Sequence, residues 1–502
     1  MAFHPFTTLC LSGFCAWIAS IAILSAGQPS DAVPEINAGP LWDRSPLTLQ
    51  SGYRDEMLGP LFGRQQSETQ EQFEFHPLFS SIRDPEAGTS GFDLLYPLVT
   101  RRRVGEEYRI QLLQLVSFSG GANQAGQQTR RAAFFPVYFQ QWSEDPARNS
   151  FALAPFYGHI QNRFNRDDVR FVLLPLYVST RKRGVVTDNY LFPFFHRRHG
   201  PGLEGWQLWP LAGHERQDPI TTTNGFEEAE LRPGHERRFV LWPLYLDQTT
   251  GIGTDASSES RALLPLFFRQ HSAERDFRSW AWPFFNYTDD RARHYREWSM
   301  PWPVFHVARG EGKHGVRLWP LFQHFERTNR HSDFLLWPLY HHQRQTAETL
   351  DRQRTRILFY LYSDLTETDT RTQTSRQRTD LWPLFTARRD REGRQRFQLF
   401  APLEPIFPQT PGIERNYSPL WSVWRSESNP LTGQSRRSLL WNLYRQSDSP
   451  ACRQWSFLFG AFQFERDEAG RRGRILFIPV GARPAAPAPP APIPSPNPLL
   501  AD

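Results

Sequence analysis

The sequence predicts an all-β protein: a long antiparallel meander of about twenty or more repeated strands with low helix content. An apolar motif centred on proline recurs along nearly the whole chain, with most neighbouring copies about 17–23 residues apart. Short, charged segments that contain glycine separate the copies, as between the strands of hairpins. No segment between copies is long or periodic enough for the crossover helix that parallel pairing needs. Barrel-like and propeller-like closure both fit such a meander.

The repeat unit is an apolar run around a proline, shown by "FVLWPLYLDQ" at 239–248. Leu is common two residues before the proline, Trp or Leu one before, Leu one after, and Phe or Tyr two after. The residues that mark the unit most clearly, and that we predict to have a structural role, are Pro175, Pro193, Pro210, Pro243, Pro265, Pro283, Pro320, Pro338 and Pro383, with Trp209, Trp242, Trp319, Trp337 and Trp382.

Two arrangements of the unit are open. If each run is one strand, the proline lies near its centre, both faces are apolar there, and the proline sets a bend or bulge in the sheet. Proline in a central strand is uncommon, however, because it cannot donate a ladder hydrogen bond. The alternative is that each run is two short strands that meet at a proline corner, as in a propeller or a solenoid.

The ends of the chain differ in composition from the repeats. Residues 1–27 hold an apolar segment followed by small residues, which predicts a secretory signal peptide; the absence of Lys and Arg before the segment leaves a retained membrane anchor as the alternative. A linker at 28–37 leads to a repeat β domain at 38–481, with an insertion near 213–238. The Pro/Ala-rich tail at 482–502 is predicted to be disordered.

Charge and cysteine use exclude several classes of protein. The 58 Lys and Arg residues are nearly balanced by 52 Asp and Glu, and the two signs are mixed along the chain. This predicts a solvated rim of strand ends, and a nucleic-acid partner is not expected. Cys10 and Cys15 lie in the leader, so that its removal leaves Cys452 alone, without a disulfide or a Cys-based metal site.

No motif predicts catalysis, a cofactor site or a metal site. The two "GHER" segments at 213–216 and 234–237 offer His and Glu, but they flank the insertion, and we predict a structural loop there. The acids of "YTDD" at 287–290 and "ETD" at 367–369 are predicted to lie at hairpin tips as solvated turns rather than as Ca²⁺ ligands. The five marker Trp residues suit a sugar-stacking platform, but their apolar setting favours core or lipid contact.

The "L-W-P-L-F/Y" series, with "DNYLFPFFHRRHG" at 188–200 and "GWQLWPLAGHE" at 205–215, resembles a group of uncharacterised bacterial envelope proteins built from such repeats. The resemblance covers about residues 38–480. It implies a coherent repeat family and carries no activity with it.

The expected function is that of a non-enzymatic cell-envelope β-repeat protein, exported to the outer membrane or to the periplasm or cell surface of a bacterium. Its most specific form is an outer-membrane β-barrel with a closed apolar centre, for which outer-membrane lipid or other envelope components are the partners. The alternative is a soluble periplasmic or surface β module that binds a glycan or a protein; an enzyme comes third. The sequence leaves the oligomeric state open.

Overall fold

The computed structural model of the chain describes residues 36–122, 126–223, 229–468, 470–476 and 478–480. The predicted leader at 1–27, most of the linker and the predicted tail at 482–502 lie outside the described residues. Within the described ranges, no helix is both long enough and apolar enough to span a bilayer.

The predicted all-β antiparallel meander is confirmed. Forty-four strands of the described residues form one sheet, in which each strand pairs antiparallel with the next one along the chain. Helical structure in the described ranges comprises the 3-10 helix Pro146–Arg148 and two short α-helices, α1 (Pro411–Asn416) and α2 (Ser418–Trp421).

The strands of the first half of the sheet are β1 Ile36–Asn37, β2 Asp43–Pro46, β3 Gly52–Met57, β4 Phe62–Ser67, β5 Glu71–Phe75, β6 Phe79–Asp84, β7 Thr89–Leu94, β8 Val99–Val104, β9 Glu107–Leu112, β10 Val116–Ala122, β11 Gln128–Phe134, β12 Tyr138–Ser143, β13 Ser150–Leu153, β14 Tyr157–Arg163, β15 Arg166–Val172, β16 Tyr177–Lys182, β17 Val185–Tyr190, β18 Phe195–Gly200, β19 Leu203–Leu208 and β20 Ala212–Gln217. A separate two-stranded hairpin follows, with β21 Ile220–Thr223 and β22 Ala229–Arg232.

The sheet continues with β23 Gly234–Val240, β24 Tyr245–Ile252, β25 Ser258–Leu263, β26 Phe267–Ser272, β27 Arg275–Trp280, β28 Phe285–Asp290, β29 Tyr295–Ser299, β30 Phe305–Gly310, β31 Lys313–Leu318, β32 Phe322–Arg327, β33 Arg330–Leu335, β34 Tyr340–Ala347, β35 Leu350–Ile357, β36 Tyr362–Asp369, β37 Ser375–Leu381, β38 Phe385–Arg389, β39 Gln395–Leu399, β40 Trp424–Asn429, β41 Gln434–Leu439, β42 Tyr444–Asp448, β43 Cys452–Phe457, β44 Phe462–Asp467, β45 Gly470–Ile475 and β46 Ile478–Val480.

The repeated prolines lie in turns between strands. Of the two arrangements, two short strands that meet at a proline corner are confirmed, and a strand that continues through each proline is wrong. β23 ends at Val240 and β24 begins at Tyr245, while the backbone N–H of Leu244 donates to the carbonyl of Leu241 at 2.7 Å. Pro243 is the third residue of this four-residue turn, and the peptide bond before it is cis, as in type VI turns. A turn accommodates proline because this position needs no ladder N–H.

The same turn recurs along the sheet, which gives two strands to each repeat unit. The prolines found in such turns include Pro77, Pro97, Pro136, Pro155, Pro175, Pro193, Pro210, Pro243, Pro265, Pro283, Pro303, Pro320, Pro338 and Pro383. The copies without proline, such as 358–361 and 440–443, also form turns. The meander therefore holds about twice as many strands as one strand per unit predicts.

The predicted insertion near 213–238 is smaller in the structure, and its two ends belong to the main sheet. Both "GHER" segments lie in paired strands, β20 and β23, so the prediction of a loop there is wrong. The hairpin β21–β22 is what the insertion adds. A second interruption carries α1 and α2 between β39 and β40, and Pro419 lies in α2 instead of a repeat turn.

The two faces of the sheet differ sharply in burial. At the level next to the proline turns, Ala152 is fully buried, whereas Leu153 beside it is 38% exposed. We call the face that carries Ala152 the covered face, and the face that carries Leu153 the open face. An apolar cluster lies on the covered face of β11–β15, formed by Ala133, Phe139, Ala152, Ile160 and Phe171.

Elsewhere the covered face buries many polar residues, among them Ser279, Thr288, Glu367 and Asp380. The expectation that both faces are apolar at the centre of each strand is therefore wrong. The residues on which it rested lie in the proline turns and at the adjoining strand ends, along one edge of the sheet.

The sheet curves so that its first and last parts meet through side chains. Arg445 of β42 donates to Asp43 of β2 at 2.6 Å, across 402 residues of sequence. Arg415 of α1 donates to Ser80 of β6 at 3.0 Å, and the Tyr417 hydroxyl donates to the carbonyl of Tyr96 at 2.5 Å. These contacts join the two regions without a strand pair between them among the described residues.

Candidate functional site

The proline turns lie along a single edge of the sheet, because alternate connections of a meander fall on opposite edges. We call this the proline edge: the proline turns together with the strand residue on each side of every turn. Its turn residues are large and apolar, and many are exposed: Leu173, Leu176, Leu191, Phe192, Phe194, Leu241, Leu244, Leu266, Trp282, Phe284, Trp302, Leu321, Leu336, Leu339, Phe359 and Leu384.

The strand residues of the proline edge add an open-face row of the same character. The row is exposed on strand after strand and includes Phe134, Leu153, Val172, Tyr190, Val240, Tyr245, Leu263, Trp280, Phe305, Leu335, Tyr340 and Ile357. At about 4.8 Å between neighbouring strands, 44 strands give an edge about 210 Å long. Apart from the interruption by α1 and α2, even a band about 5 Å wide along this length would cover about 1,000 Å², more than the roughly 300–600 Å² of the largest apolar patch on a typical soluble monomer.

The predicted Trp series lies on this edge, one residue before the prolines. Neighbouring rings contact each other: the centroids of Trp209 and Trp242 are 5.9 Å apart, and those of Trp319 and Trp337 are 6.2 Å apart. Trp242 is 48% exposed and Trp337 is 43% exposed. The rings therefore contact each other in tilted pairs and remain nearly half exposed.

The opposite edge of the sheet is polar. The turn between β38 and β39 contains Asp390, whose carboxylate accepts from the N–H groups of Glu392 at 3.0 Å and Arg394 at 2.8 Å. Asp290 and Asp369 end β28 and β36 at this edge: Asp290 accepts from the N–H of Arg293 at 2.9 Å, and Asp369 from that of Arg371 at 2.9 Å. The prediction of solvated turns is wrong for Asp290 and Glu367, which lie in strands and are buried. One edge is thus apolar and the other is polar.

Arginines occupy the open face one level above the proline edge. Arg238, Arg261, Arg269 and Arg278, which we call the arginine ladder, lie at one height on β23 and β25–β27, with Asp247 of β24 between the first two. All four are exposed. Arg269 lies directly between Arg261 and Arg278 in the register, an arrangement of like charges that is unfavourable without an anion nearby. The arginine ladder is two residues along each strand from the apolar row, a distance of about 7 Å.

A buried group of charges joins the ends of the sheet. We call it the charged seam: Asp43, Arg54, Glu56, Arg425, Glu427, Arg436 and Arg445. Asp43 accepts from Arg445 at 2.6 Å and lies 3.4 Å from Arg436, while Glu56 accepts from Asn442 at 2.6 Å. A cavity of about 80 Å³ adjoins the seam, lined by Arg54, Arg388, Arg396, Glu404, Glu414 and Glu427 among others. Because cations and acids alternate here, the seam works as an electrostatic cross-link.

The seam shifts the pKa values of its members. Burial by itself would raise the pKa of Glu56, but Arg54, Arg425 and Arg436 outweigh it and lower that pKa from 4.5 to about 2. Burial also lowers the pKa of Arg425 to about 10, against the attraction of Glu56. Charge on Glu56 is therefore part of what holds the seam together.

This shift predicts that the seam weakens in acid. The folded-state pKa of Glu56 lies below its unfolded value, so its contribution is fully present above about pH 4.5 and is lost as the pH falls towards 2. We expect Glu56→Gln to lower the free energy of unfolding by at most about 3 kcal/mol at pH 7, with the difference from the unmodified chain shrinking below pH 4.5. Urea unfolding of both chains from pH 7 to pH 2 measures this. A difference that stays constant over that range would contradict the assignment.

The two "GHER" segments pair crosswise on the sheet. His235 Nε2 lies 2.6 Å from a Glu215 oxygen, and His214 Nε2 lies 3.2 Å from a Glu236 oxygen. Arg198 also pairs with Glu215, and together with His235 it lowers the pKa of that carboxyl against the effect of burial. Each His thus meets one carboxylate, and the arrangement is a pair of cross-strand ion pairs.

Sequence reasoning found the apolar residues of the proline edge but not their position, and it missed both charged groups. The charged seam joins residues about 400 positions apart, such as Asp43 and Arg445, and no local sequence pattern predicts that contact. The arginine ladder had a signal: Arg recurs four or five residues from the proline, on alternate positions from the exposed apolar residues. No protein-family model matches the chain, and no curated protein matches it.

Proposed function

We propose that the protein is a non-enzymatic component of the bacterial cell envelope that attaches to a membrane by inserting its proline edge into the lipid interface. The observation that carries the proposal is the one-sided distribution of apolar residues: exposed Leu, Phe and Trp line one edge, and polar turns line the other. Burying this edge in lipid removes apolar area from water, which is worth about 25 cal/mol for each Å².

The dimensions favour insertion of the edge over strands that cross the membrane. The longest strands of the sheet, such as β34–β36, have eight residues, whereas a crossing strand needs about 9–11. The apolar part of each hairpin is the turn and one flanking residue on either side. This reaches the depth of an interfacial segment, about 5–10 Å below the headgroups.

The arginine ladder suits the adjoining headgroup layer. Its side chains lie about 7 Å above the apolar row on the same face, and guanidinium groups bind phosphate with paired hydrogen bonds. Lipid phosphates would relieve the repulsion among Arg261, Arg269 and Arg278. The aromatic rings of the edge fit the same picture, because Trp and Tyr favour the membrane–water interface.

The predicted leader at 1–27 supports export, and the outer membrane is the envelope surface that we favour. Outer-membrane lipid is then the partner, and the proposal involves neither a nucleic acid nor a catalytic step.

The direct test is flotation of the purified chain with lipid vesicles in a density gradient. We expect the protein to float with vesicles, and to float more completely with anionic phosphatidylglycerol than with phosphatidylcholine alone at low salt, because basic residues near an anionic surface contribute about 1 kcal/mol each. Absence of the protein from the vesicle fraction under both conditions would overturn the proposal.

A second function is favoured by the neighbouring, nearly half-exposed Trp rings, such as Trp319 and Trp337. These would suit a soluble envelope module whose aromatic faces stack on sugar rings. Binding of soluble oligosaccharides in the absence of vesicle flotation would identify this function.

A further inference from the structure

A group of metal-ligating side chains lies on the open face of the hairpin β32–β33, away from the seam and from the proline turns. His324 and Asp333 are direct cross-strand partners, and His331 precedes Asp333 by two residues, so all three point to one face. His324 Nδ1 lies 2.9 Å from Asp333 Oδ1, and His331 Nε2 lies 2.5 Å from Asp333 Oδ2. One ligand atom from each residue falls within 4.8 Å of the others.

Further ligating residues surround these three. Glu326 is the cross-strand partner of His331, and its Oε1 lies 3.5 Å from His331 Nδ1. His314 on β31 lies 3.0 Å from the other oxygen of Glu326, and the ring of His342 on β34 is centred 6.3 Å from that of His331. Four adjacent strands thus bring four His and two acids to two neighbouring levels of the open face.

Simple ion pairing accounts for the other His–carboxylate contacts of the described chain, but it fits this group less well. Elsewhere each carboxylate meets one His, as in His159–Asp168 and His271–Asp276. Here Asp333 contacts two His side chains, and Glu326 also contacts two. A transition-metal site needs imidazole and carboxylate ligand atoms that converge on one point, and the ligand atoms of His324, His331 and Asp333 lie close enough together for this.

We propose that His324, His331 and Asp333 bind one divalent transition-metal ion, with Zn²⁺ as the representative ion. Imidazole nitrogen and carboxylate oxygen are its ordinary ligands, and three protein ligands leave a coordination position open to water. The ion takes the place of the hydrogen bonds between Asp333 and the two imidazoles, and each neutral ring then carries its proton on the nitrogen that faces away from the ion. His324 and Asp333 lie on the open face at the level of the arginine ladder, two residues from the apolar row. The metal-site proposal does not rest on membrane attachment, because Zn²⁺ binding is measured without lipid.

The sequence does not predict this site because its ligands come from two strands of a hairpin. His324 and His331 are seven residues apart, on different strands, and only the register of β32 with β33 sets His324 opposite Asp333. Residues 324–333 contain no helical or loop motif for metal binding, so the sequence predicts no metal site there.

Isothermal titration of the untagged full chain with ZnCl₂ at pH 7.5 tests the proposal. We expect one Zn²⁺ to bind per chain, and His331→Asn and Asp333→Asn each to weaken binding by at least about 100-fold, more than the usual effect of losing a supporting residue. The matched control is His271→Asn, which removes an open-face His that is paired with a single carboxylate; its affinity should equal that of the unmodified chain.

Circular dichroism melting of each variant verifies that it is folded, so that a loss of binding reports on the ligands. Absence of Zn²⁺ binding by the unmodified chain would overturn the proposal. Binding that is unchanged in both His331→Asn and Asp333→Asn would also overturn it.

Discussion

The double variant Trp242→Glu/Trp337→Glu should lose most of its binding to lipid vesicles. Both rings are nearly half exposed on the proline edge, and each lies beside another Trp, so that each contributes a broad apolar surface to the lipid interface. Replacing each ring by a carboxylate removes about 1–2 kcal/mol of interfacial burial and adds a charge that resists entry into lipid. We therefore expect the vesicle partition coefficient to fall about 10- to 100-fold or more.

The matched control is Trp142→Glu. Trp142 lies on the open face and is 45% exposed, but it is four residues along β12 from Tyr138 of the apolar row, about 13 Å away and beyond the level of the arginine ladder. The same substitution there should leave partitioning within about a factor of three of the unmodified chain, since its ring lies above the headgroup layer. Equal losses in the control and the double variant would contradict the assignment of the edge.

Loss of Arg445 from the charged seam should cause the largest change in stability. The side chains of Arg445 and Asp43 are 5% and 7% exposed. Because the pair is buried, water cannot solvate the Asp43 carboxylate in place of Arg445. Removing one partner of a buried ion pair typically costs about 3–5 kcal/mol, because the other charge stays buried. We expect Arg445→Leu to lower the free energy of unfolding in urea by that amount.

Two comparisons separate this effect from a general loss of packing. In the double variant Asp43→Leu/Arg445→Leu neither of these two charges is left buried alone, and Arg436, which loses Asp43, keeps the attraction of Glu56 and Glu427, so much of the stability should return. Arg453→Leu breaks the exposed pair with Asp448, and this should cost less than about 1 kcal/mol. If Arg445→Leu proves as mild as Arg453→Leu, the two ends of the sheet do not depend on this contact.

The fold class followed from the sequence because its signal is local and repeated. Glycine and charged residues bound each apolar run. These turn signals predict antiparallel pairing whether the proline lies within a strand or in a turn. The strand count was half the true one, because a run such as 239–246 is apolar on every residue and therefore shows no break. The only sign of the turn in this run is Pro243, which has no N–H to donate. A turn and a bulge can both accommodate a residue without that donor.

The sequence predicts the position of the candidate site only in part. The sequence identified Trp242 and Trp337 as contact residues, but it placed them at mid-strand, where they would be covered on both sides. The turn moves them to the edge and exposes them. Contacts such as Asp43–Arg445 and His324–Asp333 depend on curvature and on register, which the spacing of the repeats leaves undetermined.

The depth of the proline edge in a bilayer tests the central claim most directly. Spin labels would be placed at Leu244→Cys and Leu339→Cys on the edge, and at Glu259→Cys on the open face of β25, in a chain whose Cys10, Cys15 and Cys452 are replaced by Ser. With anionic vesicles, we expect the two edge labels to be accessible to oxygen and shielded from a water-soluble nickel chelate, and the label at 259 to show the reverse. Edge labels as accessible to the nickel chelate as the label at 259 would contradict membrane insertion.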